Sequence, residues 1–251
     1  MPPATTIHDV LEKLDAIIAE CISNNNRMGL FAYIYRRTTA EIASEIALGN
    51  FEDNPRMEML DVAFANLYLD AYTNYKNKEF VCASWTYAFH HAQEPLTIVQ
   101  HIMLGMNTHI NLDLAIATAT TMSNTEIRDI EADFMKVNDI LFQIVNEMQD
   151  RLSRVSPLLF LLDWIGENKD EKLIDFSMRK ARQQSWNSAN LLWSLGADLN
   201  QGAITKIDQG VLTLSKRIKA PRTKVLQLIL RILQKFEAKK VNTILHKLTA
   251  D

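Results

Sequence analysis

The chain has 251 residues, with 47% apolar and 23% charged side chains, a usage that excludes a disordered polymer and is enough to bury a sizeable core. Only 7 Gly and 6 Pro are present, too few for the tight turns of a β-rich protein of this size. The net charge of −3 has no domain-wide basic excess, which argues against nucleic acid as a partner.

Helical periodicity starts at once. Ile7, Val10, Leu11, Leu14, Ile17 and Ile18 form one stripe of a helix over 7–22, ended by Asn24–Asn26. A second helix spans about 28–48, and Thr38 with Glu41 suggests a capping box that would split it. Pro55 suits a helix start, and residues 56–75 form a strongly apolar, central helix. The next spans 79–92, and Pro95 opens another. Gly105 and Asn107 interrupt that pattern, with Asn107 as the cap of a new helix to about Met122. Ser123 and Glu126 fit a capping box for a long helix to about Arg154. Ser156-Pro157 starts a short one ending near Gly166. A long one from Asp170 to Leu195 is closed by Gly196, and shorter ones cover 203–218, 221–236 and 238–248. The expectation is an all-α, single-domain bundle of about ten helices over residues 1–251.

Cys21 and Cys82 lie far apart and give no CxxC or disulfide framework. The N-terminus lacks the basic and apolar regions of a signal peptide, and no apolar run is long enough to span a bilayer; a cytoplasmic location is the default expectation. The last third is locally basic, from Lys206 to Lys240. A solvated face is the main reading, and an anionic partner or membrane surface the minor one.

Chemistry concentrates in residues 85–113, WTYAFHHAQEPLTIVQHIMLGMNTHINLD, which hold His90, His91, His101 and His109. His109 and Asp113 are four apart, about 6 Å along one helical face. That spacing serves two ligands of one divalent metal, or an imidazole oriented by a carboxylate. His101 is eight residues from His109, about 12 Å on a straight helix, so the two converge only if the chain breaks near Gly105 and Asn107. With Asn107 as cap, the helix dipole would favour a neutral His109. Asp61, Asn66 and Asp70 interrupt an apolar helix; Asp61 or Asp70 is a candidate second carboxylate, the alternative being that one or both face solvent. Arg182 and Trp186, four apart, can stack, and Arg36, Arg37, Arg179 and Arg182 are candidate counter-charges for buried carboxylates or an anionic substrate group. Trp85, Trp164 and Trp193 read as core or interface residues. GxGxxG, P-loop, GxSxG, HExxH and zinc-finger spacings are absent.

The segments FEDNPRMEMLDVAFANLYLDA, HIMLGMNTHINLDLAIA, IRDIEADF and RKARQQSW together resemble an uncharacterised bacterial family of unknown function. Its hallmark is an HxNxD core after a GMN-like turn, matched by Gly105, Met106, Asn107, His109, Asn111 and Asp113. The resemblance covers about residues 28–195 and implies a fold and a site, but no reaction. Trp85, His91 and Pro95 bear a fainter likeness to helical zinc-dependent phospholipases and nucleases, whose closely spaced ligands are not reproduced.

The expected function is a small-molecule enzyme, hydrolytic or metal-assisted. His109 would be base or metal ligand, Asp113 its partner or co-ligand, and Asp61 a further catalytic group. His101, Asn107, Asn111, Arg182 and Trp186 would contact substrate. The alternative is a non-catalytic ligand-binding or scaffold protein in which the same residues form a buried network.

Overall fold

A computed structural model of the chain describes residues 1–156 and 178–249. The described residues contain eleven α-helices and no strand, so the all-α expectation holds. The expected short helix from Pro157 to Gly166 and the start of the next at Asp170 lie outside the described residues.

Local chemistry sets most of the boundaries. Helix α1 (Ile7–Ser23) starts where the Thr6 hydroxyl accepts the Asp9 N–H. Helix α2 (Met28–Ala47) is one piece: the Thr38 hydroxyl donates back to the Ile34 carbonyl and caps nothing. Helix α3 (Asn54–Asn77) has Asp53 as its cap, Pro55 in its first turn, and a left-handed Lys78 (φ 61°) after its end. Helix α4 (Ala83–His90) is shorter than its pattern suggests. Its start is fixed from a distance by Asp208, whose carboxylate accepts the N–H groups of Ala83 and Ser84.

Helix α5 (Ile98–Thr108) opens with a Thr97–Gln100 capping box. The expected break near Gly105 and Asn107 is not there. The helix passes through a π-helical turn, His109–Asp113, and continues as α6 (Leu114–Thr121). Gly105 serves packing instead: a Cβ there would sit 2.4 Å from the Phe31 ring, so its absence lets α2 lie against α5. Asn107 does not cap either. Its side-chain amide donates to the Val211 carbonyl and the Ser215 hydroxyl.

A 3₁₀ turn (Ile127–Ile130) precedes α7 (Glu131–Val155), so the Ser123–Glu126 box does not start that helix. Helix α8 (Met178–Leu199) is kinked at Gly196, whose φ of 70° is left-handed. Helices α9 (Gln201–Lys219), α10 (Lys224–Phe236) and α11 (Val241–Thr249) follow.

The α5–π–α6 rod is the axis of the core. Helices α2 and α3 pack on one side, α4 and α9 on another, and α8 lies along α6. Helix α1 covers α2 and α3, and α11 packs on α7, α1 and α2. The first residues run back along α3. The Ala4 N–H donates to the Asn66 side chain at 2.7 Å, the Asn66 amide returns a bond to the Ala4 carbonyl at 3.0 Å, and the Ile7 N–H donates to Glu58.

Candidate functional site

The π turn holds His109 and Asp113, which are 2% and 4% exposed. An i→i+5 bond from the Leu114 N–H to the His109 carbonyl widens the turn. The two side chains face each other, His109 Nδ1 to Asp113 Oδ2, at 2.9 Å. The same Oδ2 accepts the Trp85 indole N–H at 2.9 Å. Buried indole N–H groups need an acceptor, so Trp85, which the sequence reads as plain core, is the third member of the pair.

Aromatic rings surround the imidazole. Phe64 of α3 stacks face to face on it, with centroids 3.6 Å apart and planes within 10°. Tyr35 of α2 meets it edge-on at 4.3 Å. Phe31, Tyr68 and Trp85 stand at 5.6, 5.9 and 6.2 Å.

Desolvation governs the protonation states. Burial drives His109 well below the usual histidine range. Burial also drives Asp113 well above the carboxylate range; the Trp85 N–H opposes this, and the negative charge of Asp208 adds to it. Both directions disfavour charge on either partner. Burial thus favours the neutral imidazole, whereas the helix N-terminus expected to do so is not there. Asp61 of α3 is also buried, and burial with the nearby charge of Glu58 raises its carboxyl to about 7.

Tyr35 packs edge-on against His109, and its phenol also feels the charge of Asp61. The Tyr35 phenol is raised far above its usual range by burial and then by the field of Asp61, with Asp113 and Tyr68 contributing. The Thr39 hydroxyl, one turn along α2, lies beside that phenol without hydrogen-bond geometry. Five buried polar atoms here have no hydrogen-bond partner: Tyr35 Oη, Thr39 Oγ1, Asp61 Oδ2, Tyr68 Oη and His109 Nε2. All five belong to α2, α3 and the π turn.

Other candidates fall elsewhere. His101 stays on the unbroken α5, two turns before His109. Burial and the Arg27 charge lower its imidazole to about 3. Asn107 and Asn111 share a network turned toward α9, in which Asn111 donates to the Asn107 carbonyl and side-chain oxygens. Arg182 and Trp186 converge on Phe134 of α7 rather than on each other. The guanidinium lies 4.3 Å from that ring and donates to the Phe134 carbonyl and to Asn138, and Trp186 stands 5.0 Å from the ring. Arg36 pairs with Asp15 and Arg37 with Glu41, two carboxylates that remain partly exposed. Asp70 is exposed and Asn66 holds Ala4. His91 pairs with Glu94 at 2.6 Å.

For a divalent metal, His109 and Asp113 supply two donors whose facing atoms are bonded to each other. No group of three or more His, Cys, Asp or Glu residues converges among the described residues, so the expected metal site gains no support.

Tyr35, Phe64, Tyr68 and Trp85 are the residues sequence reading missed. The signal for Trp85 was its N–H; the rings carry none, because aromatic residues on apolar helices are ordinary core.

No curated protein and no solved structure matches the chain. The model of a family of unknown function, DUF5995, matches residues 7–221, most of the length. The chain therefore belongs to the family of unknown function DUF5995.

Proposed function

We propose that the protein is a small-molecule enzyme that moves protons between His109 and Asp61. His109 Nε2 is the group that meets the substrate, and Asp113, itself held by Trp85, positions the imidazole through Nδ1. Asp61, raised to about 7, is poised to exchange a proton near neutral pH, and Tyr35, edge-on to the imidazole, feels its charge. A neutral reaction centre walled by aromatic rings suits an uncharged substrate with a carbonyl or hydroxyl group.

One observation carries this reading: five buried polar atoms on α2, α3 and the π turn have no hydrogen-bond partner, His109 Nε2 among them, and the rings of Tyr35 and Tyr68 stand 4.3 and 5.9 Å from the imidazole. A network kept only for register satisfies its members, because each orphaned group costs about 1–3 kcal/mol. Groups left unsatisfied together are what a ligand's own polar atoms would complete. The π turn supports the reading, since such turns recur at functional sites.

The scaffold reading draws on a different observation. The His109 ring is stacked tightly on Phe64 and is only 2% exposed. The two readings part on stability. Tyr35→Phe and Tyr68→Phe each delete an orphaned hydroxyl, so the enzyme reading expects melting temperatures at or above wild type. His109→Gln should keep the fold. A panel of small carbonyl, ester and hydroxy compounds, screened by thermal shift and then for turnover, should give a substrate that His109→Gln no longer converts. Strong destabilisation in all three variants, with no compound shifting the wild type, would leave the network as scaffold.

A further inference from the structure

We propose that helix α10 docks the protein on an anionic lipid surface. The argument is independent of the His109 site and starts from the charge distribution. Residues 209–250 contain ten Lys and Arg and a single carboxylate, Glu237, in a chain whose net charge is −3. Glu237 is buried, accepting bonds from the Ile98 N–H and the Ser156 hydroxyl, and so does little to offset the surface charge. Among the described residues, Lys219 is the one of these ten cations in an ion pair, with Glu94. Lys216, Arg217, Arg222, Lys224, Arg231, Lys235, Lys239, Lys240 and Lys247 are all exposed.

Helix α10 arranges this charge beside exposed apolar groups. Leu226, Ile229, Leu230 and Leu233 are buried along one face. Lys224, Leu228, Arg231 and Lys235 are spaced 4, 3 and 4 apart, which aligns them along the opposite face. Val225, Ile232 and Phe236 flank that line. Val225 and Leu228 are each 57% exposed and Phe236 is 64% exposed. The helix therefore carries a wide apolar arc, and a polar side on which Gln227 and Gln234 adjoin the outward cationic line.

That combination selects among polyanions. A phosphodiester backbone would pair with the lysines and arginines but leave Leu228 and Phe236 wet. The headgroup region of a bilayer accepts both: the side-chain stems and rings sink to the acyl boundary while the charges stay with the phosphates and carboxylates. No described helix is long and apolar enough to cross a membrane, so the contact is made from one side.

The full chain should be tested by co-sedimentation with vesicles of phosphatidylcholine alone and with about 30% phosphatidylserine. Two sets of surface variants are compared, K224E/R231E/K235E and L228S/F236S, with folding checked by circular dichroism. The expected result is binding only to the serine-containing vesicles, weakened by salt. The triple variant should lose roughly 100-fold or more in affinity, at about fivefold or more per cation. The apolar double variant should lose roughly tenfold or more. A wild-type chain that stays in the supernatant, or binds both vesicle types alike, would overturn the proposal. So would an apolar double variant that binds at full strength, or a chain that binds duplex DNA more tightly than serine-containing vesicles, since either would make α10 a general polyanion surface.

Discussion

At the scale of single residues, Asp61 gives the sharpest expectation. Its carboxyl is raised from 3.8 to about 7 in the folded chain, so the folded state holds a proton that the unfolded state has released between those values. Stability should therefore fall as pH rises from about 4 to 7, and the full cost above that window is about 4 kcal/mol. Asp61→Asn, which cannot ionise, should match wild type near pH 4 and exceed it at pH 8 in urea unfolding. A wild-type curve that stays flat across this window would mean that Asp61 is solvated. Trp85 offers a second check. Trp85→Phe removes the N–H that supports the Asp113 carboxylate and leaves Oδ2 with His109 alone. The expected cost is about 1–3 kcal/mol, beyond any packing loss, and the His109 ring should become measurably more mobile by NMR.

At the scale of elements, the rod formed by α5, the π turn and α6 decides where everything else sits. Its registers were legible in part. The helical stripe of α1 follows apolar spacing that any reader of the chain can find, and the HxxxD spacing put His109 and Asp113 on one face, where they meet. Three features were not legible, each for a physical reason. Gly105 and Asn107 resemble a helix break, but their roles are tertiary: a close approach to Phe31, and a bond across to α9. The start of α4 is set by Asp208, over 120 residues away in the chain. The aromatic wall draws Phe31, Tyr35, Phe64 and Tyr68 from two helices whose pairing no local pattern announces. Gly105→Ala tests the packing role directly. Alanine gains about 1 kcal/mol in helix propensity but drives a methyl into the Phe31 ring, an overpacking cost of about 1–3 kcal/mol or more. The variant should melt below wild type, and shortening residue 31 in Gly105→Ala/Phe31→Leu should recover part of the loss.

At the scale of the whole molecule, the family match ends at residue 221, yet the packing continues beyond it. Val241, Ile244, Leu245 and Leu248 of α11 are each no more than 3% exposed and belong to the main apolar core. The Tyr33 hydroxyl and the Arg151 guanidinium both donate to the Leu248 carbonyl, and the Val241 N–H donates to Asn25. Four such side chains contribute about 6–12 kcal/mol, comparable to the roughly 5–15 kcal/mol that holds a typical domain folded. A chain ended at residue 221 should therefore lose its cooperative thermal transition, as followed by circular dichroism. A sharp transition within a few degrees of the full chain would show that α10 and α11 are an accessory layer.

The main-chain clamp between Ala4 and Asn66 bears on how this protein tolerates change. One carboxamide grips both the donor and the acceptor of a single peptide residue and touches nothing that distinguishes one amino acid from another. The exposed positions 1–3 are thus free to drift, and mutational scanning there should find nearly everything accepted, whereas position 6 must keep its cap. Position 4 itself is only 4% exposed, so selection there acts on size and on keeping the N–H that proline lacks.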